Sequence, residues 1–331
     1  MLTTFLLLIG SAAVIYFACE SFVNGVEWMG HRLSLSQTAT GTILAAFGTA
    51  LPESVVTLVA TAFGHTDAQR ELGVGAALGG PLALATIAYG VVGIALLANR
   101  KRLGRTANPV VQVDGRRLSH DQLWFLAVFA VKVALGLVLI RYKPLLGFAF
   151  LAVYGVYVWS ELREGSDPHE GEREALKIRP RHPDPSLGWA LVQVAMAIIV
   201  IFVASRTFVA QLSDIGPWLR MSPQLTALLL SPIATELPET MNALIWVRQG
   251  KERLALANIS GAMMIQATVP TAFGLFFTPW LLAPELVVAA AVTMLATGAL
   301  FVMFRKGRVR GRSLAAVALL YGLFAAAIVA M

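Results

Sequence analysis

Thr49-Ala50-Leu51-Pro52-Glu53 and Thr235-Glu236-Leu237-Pro238-Glu239 each set a proline and a glutamate in the middle of a long apolar run. Sliding the chain on itself by 239 − 53 = 186 residues lays Ala18 to Ser54 over Ala204 to Thr240 without a gap, with roughly a third of the pairs identical. The matches include Phe22 with Phe208, Val23 with Val209, Gly30 with Gly216, Leu33 with Leu219, Ser36 with Ser222 and Thr40 with Thr226. Each element of the unit has a physical consequence. Proline removes a backbone donor and clashes with the preceding turn, so it breaks the helix and frees carbonyl oxygens near Thr49 and Thr235. A carboxylate in the centre of a bilayer costs about 2.5 to 3.5 kcal/mol on insertion scales unless a cation, a proton or an ion pair compensates it.

The sequence around the two units reads as membrane. Of the 331 residues 57% are hydrophobic and 14% charged, and the mean hydropathy is +0.71, outside the range of soluble domains. Ten apolar runs can span a bilayer: 2–28, 38–63, 72–98, 123–140, 145–160, 187–211, 223–247, 254–277, 284–304 and 313–330. Met1 to Cys19 lacks a basic n-region and runs straight into Glu20 to Trp28, so it is read as a retained first helix rather than a signal peptide.

The basic residues set the orientation. One side carries Arg32, the Arg100 to Arg117 tract, Arg163 to Arg181, Arg248 to Arg253 and Arg305 to Arg312, whereas the other holds Arg70, Arg141, Lys143 and Arg220. By the positive-inside rule the rich side is cytoplasmic, both termini are extracytoplasmic, and the number of spans is even. Five spans separate the two copies of the repeat, and an odd number inverts the second relative to the first. The expected architecture is therefore an all-α integral membrane protein of about ten helices in two inverted five-helix halves. Residues 1–160 form the first half, 161–186 a Pro-rich cytoplasmic linker and 187–331 the second half.

The +7 balance is accounted for by topology and leaves no reason to invoke nucleic acid. A single cysteine, Cys19, excludes an internal disulfide, a redox pair and a zinc site, and the five histidines are scattered over loops. Paired acids also occur in intramembrane aspartyl proteases, but no Gly-x-Gly-Asp motif is present. Carboxylates with carbonyl and hydroxyl oxygens make the hard, flexible shell that suits Ca2+, and fewer of them can hold Na+. Glu20 and Glu27 are interfacial acids or cation guides; Lys132 either neutralises a carboxylate or snorkels; Arg206 reaches the outer interface; Asn242 and Asn258 are weaker lining candidates.

These residues resemble the sodium/calcium exchanger branch of the calcium/cation antiporter superfamily, whose two alpha repeats typically read Gly-Thr-Ser-x-Pro-Glu, followed by Gly-Ser-Asn-like runs on the next helix. Here the first repeat reads Ala46-Phe47-Gly48-Thr49-Ala50-Leu51-Pro52-Glu53. The resemblance implies Glu53 and Glu239 as central cation ligands, with Thr49 and Thr235 as neighbouring oxygen donors. The departures are specific. Ala50 and Glu236 stand where the motif has serine, so one hydroxyl is lost and one carboxylate gained. On the following helices Gly79-Gly80-Pro81-Leu82-Ala83-Leu84 has no polar side chain, and Gly261-Ala262-Met263-Met264-Ile265-Gln266 keeps only Gln266. Gly79 and Gly80 serve close helix packing.

The function implied is secondary antiport of Ca2+ against Na+ by alternating access. Exchange of Ca2+ or another divalent cation for H+ is the alternative that the added Glu236 suggests, and a non-transporting paralogue is the alternative of another class. No enzyme activity, cofactor or obligatory protein partner is expected. The partners are membrane lipid and the transported cations, and the location is a bacterial-type plasma membrane.

Overall fold

The computed structural model describes residues 2–33, 51–101, 104, 107–164, 174–182 and 184–331. Helices form where the apolar runs were read. They are α1 (Leu2–Arg32), α2 (Leu51–Phe63), α3 (Asp67–Ala98), α4 (Gly115–Leu137), α5 (Lys143–Glu164), α6 (Leu187–Trp218), α7 (Pro223–Thr235), α8 (Leu237–Arg248), α9 (Glu252–Phe277), α10 (Pro284–Phe304) and α11 (Gly311–Ala330). Eight are long and apolar enough to cross a bilayer alone. α2 is described from Leu51, residues 38–50 of its apolar run lying outside the described residues; with the broken pair α7–α8 it brings the segments among the described residues to ten, and both carry the repeated Leu-Pro-Glu.

Several boundaries follow from local chemistry. Thr66 accepts a bond from the Gln69 amide at the start of α3, Asp114 from that of Arg117 at the start of α4, and Ser222 from that of Leu225 ahead of Pro223 in α7. Gly250, at φ +76°, ends α8 in the left-handed region that a side chain rarely adopts. Within α3 the ladder widens to a π turn at Leu84–Ala88, directly after Pro81 has removed one amide donor.

Burial separates a central pair from a lipid-facing ring. In α3 and α9, 72% and 78% of the apolar window is buried, against 17–28% in α1, α5, α6 and α11. The outer helices present Ile9, Phe17, Phe148, Ile199 and Leu319 outward, an apolar girdle that only hydrocarbon can cover.

The packing repeats itself when the halves are exchanged. α5 packs on α9 as α11 packs on α3, α4 on α9 as α10 on α3, and the equivalent helices α1 and α6, α4 and α10, and α3 and α9 pack on each other. A pseudo-two-fold axis therefore relates the two halves.

Loop contacts sort the ends into two faces. On one, β1 (Val110–Gln112) pairs antiparallel with β2 (Arg308–Arg310), and Arg253 donates to the Gln112 carbonyl at 2.8 Å. The end of α1 ties to the 174–186 segment, where Asn24 and Trp28 donate to the Glu174 carbonyl and Arg32 pairs with Asp184. On the other face Leu282 N donates to Gly136 O, Gln224 Nε2 to Leu281 O and Lys143 Nζ to Pro279 O. The basic tracts fall on the first face.

Close approach of α3 to α7 requires glycine. A Cβ at Gly75 would lie 2.1 Å from the Gln224 carbonyl oxygen, and one at Gly79 would lie 2.6 Å from that of Leu228, so the two helices meet backbone to backbone through a small-x-x-x-small stripe. Gly79→Val is predicted to destabilise the protein by about 1–3 kcal/mol through overpacking, read as a lower unfolding midpoint in detergent. Gly10→Val, where a Cβ meets open space, should leave the midpoint unchanged.

Candidate functional site

The break between α7 and α8 delivers Glu236 to the interior. α7 ends at Thr235, α8 begins at Leu237, and Glu236 lies between them at φ −97°, ψ −1°, its amide bonded to the Pro232 carbonyl. Pro232 and Pro238 on either side remove two amide donors and hold this corner open. Glu53, Thr235, Glu236 and Glu239 are all buried, none more than 3% exposed.

Thr235 joins the halves. Its Oγ1 donates to Glu53 Oε2 at 2.7 Å and lies 3.2 Å from Glu236 Oε1. A hydroxyl has one proton, so two carboxylates from opposite halves of the chain converge on a single donor. Among the described residues Glu53 has two further donors: Ser231 Oγ stands 3.5 Å from Oε2 and Thr57 Oγ1 3.4 Å from Oε1, both at the limit of a hydrogen bond. Glu236 Oε2 accepts from Gln266 Nε2 at 2.7 Å. That bond fixes the amide orientation and leaves Gln266 Oε1 without a donor among the described residues. Gly80 backs this point, since a Cβ there would lie 2.7 Å from Gln266 Oε1 and 3.0 Å from Glu236 Oε1. The result is a buried cluster of side chains rich in oxygen and, among the described residues, poor in hydrogen, a composition that suits a cation or a proton.

Glu239 sits one helical turn beyond Glu236 and within electrostatic reach of Cys19 on α1. Thr235 thus joins Glu53 to Glu236, and Glu239 follows Glu236 by three residues in α8. Among the described residues no three His, Cys, Asp or Glu side chains stand at metal-ligating distance of one another. Thr49 lies outside the described residues.

Lys132, left open by sequence, is fully buried in α4 and does not snorkel. Its Nζ donates to the Ala77 carbonyl of α3 at 2.6 Å and the Gln266 carbonyl of α9 at 3.3 Å, and its charge acts on Glu53. Glu20 pairs with Lys177 at 2.9 Å near the basic face, and Arg206 contacts His65 at 3.0 Å near the other. Asn242 and Asn258 are half-buried, and neither hydrogen-bonds to Glu53, Glu236 or Gln266.

Sequence reasoning missed Thr57 and Ser231, although each follows or precedes a singled-out residue by four positions, the spacing that shares a helix face. It also missed Trp280. This residue lies in the left-handed region at φ +49°, and its indole Nε1 donates to the Lys132 carbonyl at 3.0 Å. Nothing in the local sequence signals that long-range contact.

The sequence matches the sodium/calcium exchanger protein family over residues 3–162 and 189–330, which is nearly the whole chain. The chain belongs to that family. Inner membrane protein YrbG of Escherichia coli (strain K12) is 28% identical over 284 residues, covering 84% of this chain and 81% of its own. Two solved structures share the fold. One is the H+/Ca2+ exchanger CAX, with TM-score 0.76, 16% identity and coverage of 98% of this chain and 82% of that one. The other is the sodium-calcium exchanger NCX_Mj, with TM-score 0.61, 19% identity and 98% of both chains. The all-α membrane architecture of about ten helices in inverted repeats expected of this exchanger family is therefore the fold of this protein.

Thr235→Val is predicted to destabilise the ion-free protein by about 1–3 kcal/mol, because a buried charged acceptor loses its one short donor. Thr235→Ser should restore most of that loss. Paired thermal unfolding of the two variants in detergent checks both.

Proposed function

We propose that this exchanger-family member is a secondary antiporter that moves Ca2+ against a monovalent cation by alternating access. The carrying observation is the Glu53–Thr235–Glu236 bridge, in which acids from the two inverted halves share one proton donor in the protein interior. Acids that close together need positive charge between them, and a divalent cation supplies it most compactly. Glu53, Glu236 and Glu239 would be the anionic ligands, with Thr235, Thr49 and the free amide oxygen of Gln266 as neutral donors. Inverted halves let one bundle rock against the other around such a site. With the basic face cytoplasmic by the positive-inside rule, both termini are extracytoplasmic and the protein lies in the plasma membrane.

Two counter-ions compete. Na+ is what the resemblance implies, and it needs several neutral oxygens. α3 offers none from its side chains beside the site, since Ala77, Leu78, Gly79, Gly80 and Pro81, all buried, carry no side-chain oxygen. A proton needs only a carboxylate and no coordination shell. The donor inventory therefore favours Ca2+/H+ exchange, with Ca2+/Na+ exchange second.

Ca2+ uptake into proteoliposomes under an imposed pH gradient, then under an imposed Na+ gradient, separates the readings. Uptake should follow the pH gradient and collapse with a protonophore, and Glu53→Gln, Glu236→Gln and Glu239→Gln should each lower it at least tenfold. Uptake that follows Na+ with the protonophore present favours the second reading. If neither gradient drives Ca2+ uptake by the wild type, the antiport proposal fails.

A further inference from the structure

We propose that Lys132 is a built-in cation of the transport site, its ammonium filling a position that a transported monovalent cation would otherwise take. This inference rests on the antiport reading above and concerns how many charges that site exchanges.

Four observations place the ammonium where an ion would sit. It is fully buried in a lipid-embedded bundle, in the last third of α4, which runs from Gly115 to Leu137. Its neighbours are main-chain carbonyls of Ala77 and Gln266, at 2.6 and 3.3 Å, the oxygen type that coordinates alkali cations within membranes. Those carbonyls belong to α3 and α9, the equivalent central helices of the two halves, so the ammonium sits across the pseudo-two-fold seam. Its charge acts on Glu53, the acid that Thr235 links to Glu236.

The surroundings fix the side chain there. The rings of Phe129 and Trp280 lie 5.3 and 5.9 Å from Nζ, and both faces attract a cation. Trp280 in turn holds the Lys132 carbonyl through its indole N–H and rests against Gly274, where a Cβ would lie 2.1 Å from the ring. A lysine serving only as a helix-packing spacer would not need two carbonyls and two aromatic faces turned toward its nitrogen.

The charge count then changes. Counted with the three acids ionised and Lys132 as an ammonium, Glu53, Glu236, Glu239 and Lys132 carry a net charge of −2, the charge that exchangeable ions would balance. One Ca2+ does so on one half-cycle, and two protons or two Na+ ions do so on the other. No net charge crosses the membrane in this cycle. Without the ammonium the same acids would call for a third monovalent cation, and exchange would move charge.

The test uses the full-length protein in three readouts. In detergent, Lys132→Ala should gain a saturable methylammonium-dependent rise in unfolding temperature that the wild type lacks, since the small cation refills the vacated position. This readout needs neither Ca2+ nor transport, so it stands even if the antiport reading fails. By calorimetry, Lys132→Met should bind Ca2+ several-fold more tightly than the wild type, because a positive charge beside Glu53 has gone. In proteoliposomes, wild-type Ca2+ uptake should not respond to a potential set with valinomycin and K+, whereas uptake by Lys132→Met should. A merely structural lysine predicts the opposite pattern: weaker Ca2+ binding in both variants and no response to methylammonium. Either of those results, or potential-dependent uptake by the wild type, overturns the proposal.

Discussion

Two buried carboxylates, Glu53 and Glu236, converging on the single hydroxyl proton of Thr235 are the constraint on which the arrangement around them is built. Ionised carboxylates removed from water cost several kcal/mol each after relaxation. Among the described residues Glu53 has one short donor, Thr235, and two marginal ones, Thr57 and Ser231. Gln266 gives Glu236 one more. A folded chain of this kind is complete only when something positive sits among the acids. The break between α7 and α8 supplies one of these acids and α2 the other, so the pair is assembled only where the two halves meet.

Backbone geometry around the cluster answers the same need. The corner at Glu236 exists because prolines on both sides leave α7 and α8 without a continuous ladder. Glycines 75, 79 and 80 let α3 press its backbone against α7 and against the Gln266 and Glu236 side chains. With those glycines replaced by larger residues, the acids would have room for water, and a watery site binds cations weakly because solvent competes for them. The π turn at Leu84–Ala88 lies in the same central helix, one step beyond Pro81, and gives α3 a local departure from regular geometry in the region where the halves meet.

Much of the fold was legible because its signals are local or periodic. The span pattern, the Thr66, Asp114 and Ser222 caps and the 186-residue repeat are all read from neighbours in sequence, and the basic tracts mark one face before any contact is known. The site was legible only in part. The repeat pairs Glu53 with Glu239, and symmetry alone makes them the natural couple. The bridge found through Thr235 instead joins Glu53 to Glu236, whose counterpart in the first half is Ala50. A repeat reports what the halves share; it does not report where one of them has gained a carboxylate that breaks the symmetry. Trp280 was illegible for another reason. Its role depends on a loop folding back between α4 and α9 over a separation of 148 residues, which no spacing rule records.

The asymmetry of the acids and the position of Lys132 are best understood together. In a strictly symmetric site, Glu53 and Glu239 would carry two negative charges, the number that one divalent cation neutralises. Replacing a motif serine by Glu236 adds a third, and an unpaired third carboxylate in lipid would be destabilising whichever ion was bound. An ammonium that reaches the carbonyls of both central helices and acts on Glu53 offsets that added charge. It does so without using an exchangeable ion. A chain that gained the acid without the lysine would require an additional ion in every cycle; one that gained the lysine without the acid would hold a divalent cation too weakly. On this argument Glu236 and Lys132 form one electrostatic unit, and a substitution at either should be offset by a charge-reversing partner at the other more than by any change at Glu239.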